Sequence, residues 1–341
     1  MKPLTSVLSL AEALDCLTSP YALEEQSALA RAGAFAVDLD SGAGDPNAER
    51  IATARATLAG LVCPSVALCR GDVSPAAGEL LDRFDVVAAS EAEAAPVLAT
   101  ASRMPIAATL LAQLLRLGDG LGLHDALVAE SLVYSTLQAG PEFTAWRQAN
   151  PPRERAAASS GPAVLVERSD DRLLLVLNRP ERHNAFSVEM RDALAEALYV
   201  AASDASIVEI LLSGAGTSFS SGGDLAEFGT LPDPATAHLI RSTRNVPRLL
   251  AACAERVRVV VQGACVGAGA ELPAFARHVV ASADAYFQLP ELAMGLVPGA
   301  GGTVSLPYRI GRQRTAWLAL SGARIDALTA LHWGLVDEIA P

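Results

Sequence analysis

At 341 residues and 51% hydrophobic composition, the chain can form one large domain or two ordinary ones around a substantial core. Its net charge of -12, with Lys2 as the single lysine and no basic run, argues against a nucleic-acid partner, although the arginines leave room for a discrete cationic pocket. No apolar run reaches membrane-spanning length, no signal-peptide pattern opens the chain, and Cys16, Cys63, Cys69, Cys253 and Cys265 form no C-x-x-C pair, so a reduced, cytoplasmic protein away from membranes is expected.

The first half carries a partial copy of the second. Residues 71–90, GDVSPAAGELLDRFDVVAAS, align without gaps on 263–282, GACVGAGAELPAFARHVVAS. The matches include Gly71/Gly263, Ala76/Ala268, Glu79/Glu271, Leu80/Leu272, Val87/Val279 and Ser90/Ser282. Ser41-Gly42-Ala43-Gly44 matches Ser213-Gly214-Ala215-Gly216 at an offset of 172 rather than 192, so the first half lacks 20 residues, among them any counterpart of 219–225. No Pro-Glu follows Ser90. The alternative is chance similarity in an alanine-rich chain.

Residues 148–162, rich in Pro, Ala, Ser and charge, read as a linker. Beyond it, 163–168 and 172–178 predict a β-hairpin around Ser169-Asp170-Asp171. Ser187 is placed to cap a helix running to about Val200. Strands are expected at 208–213, 257–261, 279–282 and 286–289, and helices at 312–320 and 326–333. Residues 226–247, with Pro232 and Pro234, read as a flexible loop. Strands alternating with helices indicate an α/β domain, in which ligands sit where strands end.

Glycine-marked segments begin at those strand ends. One is Gly214-Ala215-Gly216-Thr217-Ser218-Phe219-Ser220-Ser221-Gly222-Gly223-Asp224-Leu225. Another is Gly263-Ala264-Cys265-Val266-Gly267-Ala268-Gly269-Ala270-Glu271. A third is Gln288-Leu289-Pro290-Glu291, with Pro298-Gly299-Ala300-Gly301-Gly302 behind it. Two glycine turns can each offer a bare backbone N–H to one oxygen, and two carboxylates can move protons on the neighbouring carbons. That equipment suits reactions through a thioester enolate. The histidines do not cluster into a metal site, Cys265 has no evident partner histidine, and His278 reads as structural. Gly214-Ala215-Gly216 lacks the rest of a dinucleotide fingerprint.

These segments, in this order, resemble the enoyl-CoA hydratase/isomerase (crotonase) superfamily over nearly all of residues 163–341. The resemblance also draws on Leu177-Asn178-Arg179-Pro180-Glu181-Arg182-His183-Asn184-Ala185-Phe186-Ser187 and Gly334-Leu335-Val336-Asp337-Glu338-Ile339. It implies a crotonase-like spiral of ββα repeats in the second half (159–341), preceded by a degenerate crotonase-like half (1–158). It implies an oxyanion hole formed by the N–H groups of Gly223 and Ala268, the latter at a helix N-terminus. Glu271 would activate water and Glu291 would deliver a proton in the hydration of a 2-enoyl-CoA. Coenzyme A, part of the substrate rather than a separate cofactor, would lie against Arg179, Arg182, His183, Ala185 and Phe186. A trimer or hexamer is expected. An isomerase, or a non-catalytic scaffold subunit, are the alternatives.

The sequence departs from the family pattern at two points. Pro273 follows Glu271 closely, in a helix expected to tolerate it. Family members normally continue past the point matching residue 341 with closing helices, to which residues 105–147 are similar, and those helices are expected to pack over the site of Glu271. Asp224 is expected to cap a helix after the first loop.

Overall fold

A computed structural model describes residues 7–30, 33–41, 47–151 and 161–340. Lys2, the Gly42-Ala43-Gly44 match and most of the expected linker lie outside the described residues. The chain forms two compact units, Met1–Asp119 with Arg312–Gly322, and Gly120–Gly311 with Ala323–Pro341. The division therefore falls at Asp119/Gly120 rather than in the linker, and residues 120–149 join the second unit. Among the described residues no single helix is long and apolar enough to cross a membrane.

The first unit holds a parallel sheet of β1 (Leu8–Ser9), β2 (Phe35–Asp38), β3 (Ser65–Leu68) and β4 (Val86–Ala88), in that order. Phe35, Val37, Leu14, Leu58 and Phe84 are fully buried between sheet and helices. Each such side chain contributes about 1.5–3 kcal/mol. Asp85, also buried, accepts hydrogen bonds from Ser65 and pairs with Arg116 and Arg312, so its charge is balanced twice.

The second unit opens with the helices Leu123–Gln138 and Pro141–Ala149. The hairpin follows as β5 (Val164–Ser169) and β6 (Arg172–Leu177), turning at Asp170, whose φ is +54°. Then come β7 (Glu209–Gly214), β8 (Val257–Val261), β9 (Ala264–Val266), β10 (His278–Ala281), β11 (Tyr286–Gln288), β12 (Ile325–Asp326) and β13 (Glu338–Ile339). The main sheet runs β13-β10-β8-β7-β6-β5, parallel except for the hairpin. A second sheet runs β12-β11-β9. The successive pairs β8/β9 and β10/β11 each pass from the first sheet to the second. Val257, Val259 and Val261 alternate inward along β8, as period-2 patterning requires. Met190, Leu194, Leu198 and Ala201 form the buried stripe of the Val188–Ser203 helix, which Ser187 caps by accepting from the Met190 N–H.

The internal match has a structural counterpart. A one-turn helix (Pro75–Gly78), a 3-10 turn (Leu81–Arg83) and β4 follow one another as do Ala268–Glu271, Pro273–Phe275 and β10. Strand register agrees too: Val66 lies opposite Val86, and Arg258 opposite His278.

Three local expectations need correction. The helix bearing Glu271 is a single turn that gives way to a 3-10 turn at Pro273, whose nitrogen has no hydrogen to continue the ladder. Asp224 stabilises a turn by accepting from the Ala226 N–H, and no helix begins there. The expected loop at 226–247 contains the helix Pro234–Thr243 and the start of Val246–Ala252. Asp233 caps the first of these and Pro234 takes its first position, a start signal rather than a loop signal.

Candidate active site

The first glycine loop runs beside β9, through Ser220 N–H to the Ala264 carbonyl and Val266 N–H to the Ser220 carbonyl. Phe186 bridges this loop by donating to the Gly222 carbonyl and accepting from the Asp224 N–H. Backbone groups alternate in direction, so Gly223, between them, turns its N–H the opposite way. Ala268 is the first residue of its one-turn helix, where an N–H has no acceptor four residues back. Neither the Gly223 nor the Ala268 N–H donates to a protein acceptor among the described residues. Both residues line one cavity of about 230 Å³ together with Glu271 and Glu291.

The backbone at Gly267 brings these groups together. Its φ of +50° and ψ of −119° belong to glycine, and a Cβ there would stand 2.5 Å from Glu291 Oε1. Glycine at this point thus lets the second carboxylate close on the turn that carries the first. Glu271 Oε2 accepts from the N–H groups of Ala300 (2.7 Å) and Gly302 (2.8 Å). Glu291 Oε2 is buried without a protein partner.

A third carboxylate, Glu130, enters from the Leu123–Gln138 helix. It accepts from the N–H groups of Gly301 (2.8 Å) and Thr303 (3.0 Å) and from the Thr303 hydroxyl (2.7 Å). The amides of one short loop are therefore shared alternately between Glu271 and Glu130. All three carboxylates are buried, at 1%, 8% and 3% exposure for Glu271, Glu291 and Glu130. Burial pushes Glu291 and Glu130 each up to about 7. Burial also raises Glu271 well above the ordinary range, with the Glu291 charge adding to it, against the pull of its two amide donors. At neutral pH this cluster retains protons that exposed glutamates would have lost.

Of the residues expected to meet coenzyme A, Phe186 lines the cavity. Arg179 does not, and the structure corrects its assignment. Its guanidinium is buried, donates to the carbonyls of Gly161, Pro162 and Asn178, and pairs with Glu189 at 2.8 Å, so both terminal nitrogens are engaged inside the fold. Arg182, His183 and Ala185 form the adjoining turn. They are not among the cavity-lining residues, and His183 contacts the Ser218 hydroxyl at 3.1 Å. Burial drives the Cys265 thiol upward, which suits a packed side chain and not a nucleophile. Among the described residues no group of three or more His, Cys, Asp or Glu is arranged to hold a metal ion.

Sequence reasoning missed Glu130, Tyr134 and Arg241, which all line the cavity. The available signal was the buried face of the Leu123–Gln138 helix. There Glu130, Ser131 and Ser135 occupy positions that helical periodicity reserves for apolar residues.

The folded second unit is thus an α/β crotonase-type domain. Residues 170–341 match the model of the enoyl-CoA hydratase/isomerase family, and the chain belongs to that family. It is 36% identical to 2,3-dehydroadipyl-CoA hydratase of Escherichia coli (strain K12), over 52% of this chain and 69% of that protein. It is 37% identical to 1,2-epoxyphenylacetyl-CoA isomerase of the same organism, over 49% and 65%. A solved enoyl-CoA hydratase from Thermoplasma volcanium GSS1 is 35% identical, over 53% of this chain and 72% of that one, with a TM-score of 0.49. The chain spans about two thirds of the length of these curated relatives.

Proposed function

We propose that the protein hydrates a 2-enoyl-CoA thioester. The observation that carries this reading is the meeting of two buried carboxylates and two unclaimed backbone N–H groups in one cavity wall. Water added at C3 pushes negative charge through C2 onto the thioester oxygen. The N–H groups of Gly223 and Ala268 are the donors for that oxygen, and losing one such donor typically costs about 3–4 kcal/mol of barrier. Glu271, steadied by two amides, takes the proton from water. Glu291, held near neutrality by burial, gives its proton to C2. A wall carrying both carboxylates supports hydration over double-bond isomerisation, which needs only one group to carry the proton. Isomerisation remains the second reading because one relative, 37% identical, is an isomerase.

The test is loss of the enoyl-thioester absorbance band with crotonyl-CoA and longer 2-enoyl-CoA substrates. Glu271→Gln and Glu291→Gln should each lower kcat by roughly 10²–10⁴-fold, the usual contribution of positioned acid–base groups. The competent state has one proton shared by the pair, so kcat/KM should follow a bell in pH. Both limbs should lie above the ordinary carboxylate range, because burial raises both groups. A wild-type enzyme that leaves the band unchanged but binds the substrates would discard hydration. Failure to bind any acyl-CoA would point to a scaffold.

A further inference from the structure

Three arginines line the cavity: Arg191, Arg241 and Arg244. Two are neutralised, Arg191 by Asp192 at 2.7 Å and Arg244 by Glu196 at 3.0 Å. Arg241, on the Pro234–Thr243 helix, meets no carboxylate at ion-pair distance among the described residues. Its bonds go to neutral oxygens. Nε donates to the Ser131 hydroxyl at 3.0 Å, and Nη2 to the Ser131 carbonyl at 3.2 Å and the Ser135 hydroxyl. Nη1 reaches only Gln138 Oε1, at a long 3.4 Å, which leaves it donor capacity.

Buried Glu130, which burial pushes up to about 7, acts on this charge through space without making an ion pair, so the guanidinium is only partly compensated, and its position is as telling. The guanidinium lies over the Tyr134 ring, 4.8 Å from its centroid. That ring packs on Gly299, next to the Ala300 amide that holds Glu271. Arg241 is therefore one side chain away from the proposed reacting groups, in a cavity whose lining includes the apolar Leu127, Phe228 and Leu231. Burial strips part of its hydration. A partly desolvated cation that is hydrogen-bonded only to neutral oxygens, offset through space by Glu130 and left with a spare donor, favours an incoming anion, and a carboxylate suits the guanidinium fork.

We propose that Arg241 receives a carboxylate at the end of the substrate's acyl chain, so that the preferred substrates are coenzyme A thioesters of dicarboxylic acids. The proposal rests on the acyl-CoA reading above. An anion could also come from the coenzyme's own phosphates, and the ligands chosen for the test separate the two sources.

The experiment is calorimetric titration of the full chain with adipoyl-CoA, hexanoyl-CoA and free coenzyme A, all saturated or acyl-free, so no turnover is needed. Wild type should bind adipoyl-CoA roughly 10- to 100-fold more tightly than hexanoyl-CoA, the range expected for a charge-assisted hydrogen bond. Arg241→Gln should abolish most of that ratio, and Arg241→Lys should retain part of it. A merely structural arginine, or one that holds a coenzyme phosphate, would weaken both thioesters alike. Equal binding of the two thioesters by wild type, or a ratio that survives Arg241→Gln, overturns the proposal and leaves the hydratase reading standing. If neither thioester binds the folded wild type, the acyl-CoA reading itself falls. Should Arg241→Gln fail to fold, the wild-type ratio and its change in Arg241→Lys decide the matter.

Discussion

Glu291 combines a proposed catalytic role with a cost to the fold. Its Oε2 is buried without a protein partner, and burial lifts its titration from the ordinary 4.5 to about 7. Between those values the folded chain holds a proton that the unfolded chain has released. Stability contributed by this group is then fully present below about pH 4.5 and is lost as pH rises through about 7. Glu291→Gln removes the titration while keeping shape. The variant should be more stable than wild type at pH 8, by on the order of 3 kcal/mol at most, and little different at pH 4.5. Denaturant unfolding at the two pH values reads this directly, and a variant less stable than wild type at pH 8 would contradict it. Stabilisation together with lost turnover is what a strained catalytic site predicts. Both glutamates were legible in the sequence because each follows a glycine or proline turn at a strand end. Arg179 was misread because a motif position says nothing about which carbonyls the guanidinium meets once folded.

At the scale of elements, the Leu123–Gln138 helix positions the loop that positions Glu271. Glu130 holds the N–H groups of Gly301 and Thr303, while Glu271 takes the alternate pair, Ala300 and Gly302. A Cβ at Gly302 would stand 2.5 Å from Glu271 Cγ, so the loop has little freedom to shift. Glu130→Ala leaves two buried N–H groups and a hydroxyl unsatisfied and should cost about 2–4 kcal/mol of stability. It should also lower kcat more than it raises KM, because Glu271 loses its frame while the rest of the cavity wall remains. Thermal melts and steady-state kinetics on the same preparation check both effects. Unchanged kcat in a folded Glu130→Ala protein would rule out this positioning role. Strands and caps such as β8 and Ser187 were readable because period-2 alternation and N-cap chemistry are local. The inner face of the Leu123–Gln138 helix was not, because its buried polar groups break the apolar period and find their partners 99 to 173 residues away. Asp233-Pro234 was readable as a helix start, but the neighbouring Pro232 obscured it.

At the scale of the molecule, the boundary suggested by the 148–162 stretch and the boundary of the compact units differ for a physical reason. Composition reports where apolar periodicity lapses, whereas a unit is defined by which elements share a core. Residues 120–149 precede that stretch yet belong with the second unit, and Arg312–Gly322 follow the proposed catalytic residues yet belong with the first. The matching register of β3/β4 and β8/β10 supports the proposal that the first unit is an eroded copy of the second. In it the counterpart of Glu271, Glu79, is exposed. The interleaving has a mechanical consequence. If the chain is expressed as two pieces, 1–155 and 156–341, neither piece contains a whole unit. The first lacks Arg312, which balances buried Asp85, and the second lacks Glu130, which anchors Gly301 and Thr303. Breaking a buried ion pair costs about 3–5 kcal/mol, a large share of a domain's stability. Each piece alone should therefore be insoluble or unfolded. Together they should co-purify as one species with a cooperative melt, since each restores the other's missing helices. Separately soluble, folded pieces would mean that the helices contributed across the chain are peripheral to their units, and the positioning role assigned to Glu130 would fail with them.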